Sequence, residues 1–111
     1  MTTTLTVLME NRPGALSQVT GVLAKAGVNV DALMVEAEHD FGYARLQCHP
    51  LHEAQKALEE AGFQVRKGSV LSLKLANEPG TLHDVLSKLA GAGINVEFLF
   101  GTAAEGDTGE L

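Results

Sequence analysis

"MENRPGALSQVTGVLAKAGVNVDAL", residues 9–33, is largely written again at residues 76–99 as "ANEPGTLHDVLSKLAGAGINVEFL". Asn11, Pro13, Gly14 and Leu16 match Asn77, Pro79, Gly80 and Leu82. Gly27, Asn29, Val30 and Leu33 match Gly93, Asn95, Val96 and Leu99. Every pair stands 66 positions apart without a gap, which marks duplication of one structural unit.

Outward from the first copy, Leu5, Val7 and Met9 alternate with Thr4, Thr6 and Leu8, the pattern of a strand with one strongly apolar face. Asn-Arg-Pro-Gly at 11–14 breaks it. Leu16, Val19, Val22, Leu23 and Ala26 then follow helical spacing, and Gly27 supplies a helix end with positive φ. Val28 to Ala37 reads as a second strand, Glu38 to Gly42 as a turn, and Tyr43 to Cys48 as a third strand. Leu51, Ala54, Ala57, Leu58 and Ala61 predict a second amphipathic helix, opened near Pro50 and closed by Gly62, with a short fourth strand at Phe63 to Arg66. The order β-α-β-β-α-β predicts an α+β, ferredoxin-like unit: an antiparallel sheet with its helices on one face. Ala-Gly followed by an apolar residue occurs at 26–28, 61–63 and 92–94, a consistent helix exit.

The second unit is expected to open with a strand at Val70 to Leu75. Leu82, Val85, Leu86 and Leu89 predict its helix, and Ile94 to Phe100 its next strand. By the 66-residue offset, Asp107-Thr108-Gly109 falls on the turn, and the sequence stops as a third strand should start. The expectation is therefore a first domain over 1–68 and an incomplete second over 69–111. A truncated chain is expected ahead of pairing supplied by another subunit, because an open sheet edge invites aggregation.

Bulk properties narrow the function. With 111 residues, 45% hydrophobic and 20% charged, the chain has ordinary globular composition. Eight Lys and Arg against 14 Asp and Glu give a net charge of −6 and no basic cluster, which argues against a nucleic-acid partner. The single cysteine, Cys48, excludes an internal disulfide and fits a reducing compartment. "MTTTLTVLME" has no basic n-region or long apolar h-region, and no apolar run is long enough to span a membrane. A cytoplasmic protein without a membrane partner is expected.

A strand, Asn-x-Pro-Gly-x-Leu, an amphipathic helix and then Ala-Gly-[Val/Ile]-Asn-[Val/Ile] resemble the ACT domain, here twice over about residues 5–100. "DFGYAR" at 40–45 resembles the turn and third strand of small proteins made of two ACT domains. The first copy is similar to the small regulatory subunit of acetohydroxyacid synthase and to the regulatory end of phosphoglycerate dehydrogenase. ACT domains pair side by side, and many bind an amino acid at the seam. The resemblance therefore implies a regulatory homodimer that holds a free amino acid. Asn11 and Asn77 would carry the loop amide, and Asn29 and Asn95 the amide reaching across from a neighbouring domain. Backbone at Gly14, Ala15, Gly80 and Thr81 would hold the carboxylate, with Pro13, Leu16 and Leu82 completing the loops. Serine-binding members place an imidazole two residues before the loop Asn, where this chain has Met9 and Leu75, which favours an aliphatic ligand over serine.

Elementary chemistry agrees with a carboxylate site. The first N–H groups of a helix lack partners and carry partial positive charge. An Asn amide both donates and accepts, so it can meet a carboxylate or an ammonium group. The same residues also have a purely architectural reading, since Pro-Gly is turn chemistry and Asn caps helices. Asn29 and Asn95 are the better signal, because Asn is disfavoured in strands, although a turn at the strand's start would also explain them.

His49 and His52 form an H-x-x-H, but Pro50 intervenes and no third ligand is near in sequence, so no metal site is expected. Cys48 and His49, adjacent on a strand, point to opposite faces and make no catalytic dyad; Cys48 is assigned to the core. His83-Asp84 places an acid in a helix's first turn, and "AAEGDTGEL" reads as a solvated end. No phosphate cradle, nucleophile-base pair or convergent carboxylate pair is found, so neither an enzyme nor a cofactor is expected. The alternative to an amino-acid sensor is an assembly platform that modulates a partner enzyme without binding a ligand.

Overall fold

The computed structural model describes residues 2–97, 99–103 and 108–110. The chain divides into two compact units, Met1–Val70 and Leu71–Leu111. In the first, β1 (Thr2–Glu10), α1 (Ala15–Lys25), β2 (Asn29–Glu38), β3 (Phe41–His49), α2 (Leu51–Glu60) and β4 (Gln64–Val70) follow one another. The sheet is antiparallel with order β2-β3-β1-β4, the ferredoxin-like arrangement.

Alternation in β1 buries Leu5 and Val7 completely and Met9 nearly so. Directly opposite, Leu46 and Ala44 face the same side, and Val19 and Leu23 of α1 with Ala54 and Leu58 of α2 close over them. Leu16, Val22, Leu51 and Phe63 pack at the margin of this core. Cys48 is buried among them, as its place on the inward side of β3 requires.

All three helices leave the same way. Gly27, Gly62 and Gly93 sit at φ 72°, 92° and 76°, and the next amide, of Val28, Phe63 or Ile94, bonds back to Leu23, Leu58 or Leu89. Only a residue without Cβ takes that backbone readily, so Ala-Gly-apolar is a helix stop written three times.

Three strands depart from the sequence expectation. β4 runs to Val70 instead of ending at Arg66, because its polar half, Lys67 to Val70, pairs with Thr2 to Leu5 of β1. The turn after β2 is tighter than Glu38 to Gly42: Glu38 pairs with Phe41, leaving His39 and Asp40, with His39 at φ 57°. Asp31 has no partner in the β2–β3 register, which shifts between Val30 and Ala32. The bulge sets Val30 and Leu33 on the same face of the sheet, opposite Cys48 and Leu46, with Leu33 exposed at the edge.

In the second unit, β5 covers only Lys74–Ala76, since Val70 belongs to β4 and Leu71 to Leu73 form no strand. It is followed by α3 (Thr81–Gly91), β6 (Thr102–Ala103) and β7 (Thr108–Glu110), in a sheet of order β5-β7-β6. Residues 94–97, 99 and 100 form no strand, contrary to the apolar pattern from Ile94 to Phe100. A strand needs a neighbour to take its hydrogen bonds, and β7, three residues long, pairs β6 over two positions only. The expected turn at Asp107-Thr108-Gly109 is also corrected: Thr108 and Gly109 lie in β7, and Asp107 is outside the described residues. β7 sits between β5 and β6 as β3 sits between β1 and β2. Thr102 and Ala103 stand 66 positions after Glu36 and Ala37, while Gly109 and Glu110 stand 67 after Gly42 and Tyr43. The register of the first hairpin is thus repeated with one extra residue in its loop. α3 buries none of its residues, and Leu82 is exposed.

Candidate functional site: two congruent loops and a polar cluster on β2

The loop between β1 and α1 is a compact turn ending in a left-handed glycine. Arg12 N donates to Glu10 O, Ala15 N to Arg12 O and Gln18 N to Gly14 O. Gly14 caps α1 at φ 87°, ψ −10° and makes no side-chain cap bond. The loop between β5 and α3 repeats this bond for bond: Glu78 N to Ala76 O, Thr81 N to Glu78 O, Asp84 N to Gly80 O, with Gly80 at φ 88°, ψ −14°. In both loops the second and third helical amides, of Leu16 and Ser17 or of Leu82 and His83, find no acceptor among the described residues. A Cβ built on Gly14 or Gly80 would meet nothing within 4 Å, so the backbone there lies open as well as left-handed.

Asn11 has a definite structural task. Its side-chain Nδ2 donates to His39 O at 2.8 Å, and its backbone N donates to Asp40 O at 2.8 Å, fastening the loop to the β2–β3 turn. The positions that would hold Asn77 in the same way fall in residues 104–107, outside those described. Arg12 adds an outer brace, with Nε donating to Glu10 Oε2 at 3.0 Å and Nη2 to Gln18 Oε1 at 2.7 Å.

Asn29 opens β2 opposite His49. Its Nδ2 donates to Asp31 Oδ1 at 2.8 Å, and Asp31 Oδ2 accepts from His49 Nδ1 at 2.6 Å. The His49 bond, and after it the Asn29 bond, hold the Asp31 carboxyl below its ordinary value. Burial, and after it the Asp31 charge, push the Cys48 thiol up. His49 is thus engaged with Asp31, and no group of three or more His, Cys, Asp or Glu able to hold a metal occurs among the described residues.

Asn11 and Asn29 of one unit are far apart. Asn11 follows Glu10, which pairs with the first residue of β3, Phe41, whereas Asn29 pairs with the last, His49. Nine residues of strand separate the two levels by about 26 Å. Pro13, Gly14, Ala15 and Leu16 cluster with Asn11; Asn77, Gly80, Thr81 and Leu82 form the matching group of the second unit; Asn95 lies just beyond α3 and is exposed. None of these eleven residues lines the hollow of about 570 Å³ bounded by Gln18, Gly21, Val22, Lys25 and the Ala61-Gly62-Phe63 exit of α2. The sequence reading missed Asp31 and His49 as partners of Asn29. The available signal was an acid two positions after the amide, repeated as Glu97 after Asn95.

The family model described as "ACT domain pair" matches residues 1–110. Acetolactate synthase small subunits are similar over 63 residues: 36% identity in Haemophilus influenzae and 35% in Escherichia coli, covering 57% of this chain and 38% of each relative. The chain spans about two fifths of the length of the curated relatives it matches. Among solved structures, a protein of Bacteroides thetaiotaomicron superposes with TM-score 0.89 at 32% identity, covering 98% of this chain and 76% of the other. The ligand-free regulatory subunit of aspartate kinase from Thermus thermophilus shares the fold, with TM-score 0.74 at 16% identity over 97% of this chain and 79% of that one. A ferredoxin-like first unit and a β-α-β-β second unit with a congruent Asn-x-Pro-Gly loop, matched almost end to end by that family model, place this chain in the ACT domain pair family.

Proposed function

We propose that this chain is a regulatory amino-acid-binding module, its ligand held between two ACT units at the strand-to-helix loops. The observation that carries the reading is the congruence of the loops at Gly14 and Gly80, each presenting two unpartnered helix amides beside an open glycine backbone. A carboxylate is the natural partner of such a terminus.

The separation of Asn11 from Asn29 explains why two units are needed. β2 is an edge strand, with Leu33 and Val35 exposed along it. β1 and β2 both run antiparallel to β3, so the Asn11 loop lies at the C-terminal end of β2. Antiparallel pairing of β2 with the same strand of a second unit would bring Asn29 of one beside the Asn11–Leu16 loop of the other. It would also cover the exposed leucine and valine. A homodimer built this way, cytoplasmic and acting by binding rather than catalysis, holds an aliphatic amino acid through Asn11, Pro13, Gly14, Ala15, Leu16 and the neighbour's Asn29. Asn77, Gly80, Thr81, Leu82 and Asn95 serve the second unit in the same way.

Equilibrium dialysis and thermal-shift measurements with the twenty amino acids test the reading. One or more aliphatic amino acids should bind at or below millimolar concentration and raise the melting temperature; absence of both effects across the set refutes it. The Asn11 fastening favours a second reading, a ligand-free platform that modulates a partner enzyme, because it gives that amide a structural role. Asn29→Ala separates the two: a sensor loses its ligand response, and a platform keeps its partner.

A further inference from the structure

We propose that Asp31 and His49 are positioning residues that make Asn29 a reader of the ligand's ammonium group, so that the site selects amino acids over acids lacking the amine. The inference rests on the amino-acid site proposed above and assigns one end of the ligand to Asn29.

An unconstrained Asn can present either its donor or its acceptor. Here the choice is made by Asp31. A carboxylate only accepts, so Nδ2 of Asn29 must face Asp31 Oδ1, as it does at 2.8 Å. Oδ1 of Asn29 meets no donor among the described residues and is the group left to offer. The same logic fixes the histidine: Nδ1 must carry the hydrogen that meets Asp31 Oδ2 at 2.6 Å. His49 comes from the last position of β3, directly across from Asn29, so the strand register itself supplies the brace. Asp31 occupies the bulge, without a register partner of its own.

Charge points the same way. The Asp31 carboxyl is held in its ionised form, chiefly by the His49 bond. A ligand carboxylate brought to Asn29 would approach that negative charge, whereas an ammonium would be attracted by both the charge and Oδ1. The ligand is thereby given a direction: carboxylate at the open helix amides of one unit, ammonium at Asn29 of the other. An amide followed two residues later by an acid recurs in the sequence at Asn95 and Glu97.

The experiment compares calorimetric affinities of the full chain for alanine, valine, leucine and isoleucine with those for the 2-hydroxy acids of the same side chains. The wild type should prefer the amino acid by about tenfold or more. Asp31→Asn should abolish the preference by weakening amino-acid binding while leaving hydroxy-acid binding unchanged. His49→Ala should reduce it, and His49→Gln, which restores a donor, should recover it. A preference retained in Asp31→Asn, or equal losses for both ligand series, overturns the inference while the site stands. Failure of the wild type to bind any amino acid overturns the site and this inference together.

Discussion

The side-chain amide of Asn11 donates to the backbone carbonyl of His39, 28 positions away, at 2.8 Å. With the Asn11 backbone bonded to Asp40, this joins the strand-to-helix loop to the hairpin turn as one piece. The loop that would meet a carboxylate is therefore set by the sheet as well as by its own glycine.

Removing the donor should loosen that joint. Asn11→Ala and Asn11→Asp, which both lack it, should each lower unfolding free energy by about 0.5–1.5 kcal/mol in urea titrations. The Asp variant fails because it places a carboxylate oxygen against the His39 carbonyl.

Two glycines should respond in opposite directions to alanine. A Cβ on Gly42 would lie 2.7 Å from Glu36 O and 2.8 Å from the Ala37 Cβ, so Gly42→Ala must push β2 and β3 apart. Gly21, inside α1, would meet nothing within 4 Å, and alanine there is the better helix former. Thermal unfolding should show a loss of about 2–4 kcal/mol for the first and a gain of about 0.5–1 kcal/mol for the second.

Two ionisable groups give opposite pH signatures. Asp31 is held below its ordinary 3.8, so its contribution to stability is present above that pH and fades as pH falls through the lower folded value. The stability difference between wild type and Asp31→Asn should shrink as pH falls below 3.8. Cys48 is raised above 9.0, so its contribution holds below that pH and is lost as pH rises through the folded value. Alkylation of Cys48 at pH 9.0 should be slow in the native chain and fast in denaturant.

What the sequence made legible was local. Asn-x-Pro-Gly, the helical spacing of Leu16, Val19 and Leu23, and the Ala-Gly exits are each decided by a few neighbouring residues, and all three helices formed where they predicted. The misjudged segments depend on distant partners. Lys67 to Val70 is polar and glycine-bearing, yet becomes strand because Thr2 to Leu5 lies beside it. Ile94 to Phe100 has the composition of a strand, but on that side β7 pairs with Thr102 and Ala103 alone among the described residues. In the Asn29–Asp31–His49 chain, His49 stands 18 positions beyond Asp31 and is brought to it by the β2–β3 register, which no short-range pattern announces.

The most direct test of the central claim is an amide nitrogen–proton NMR titration of the full chain with an aliphatic amino acid to about 1 mM. The open amides of Leu16 and Ser17 should shift with saturation, and the carboxamide form of the same amino acid should leave them in place. Unmoved Leu16 and Ser17 resonances, or equal shifts with the carboxamide, would contradict a carboxylate held at the start of α1.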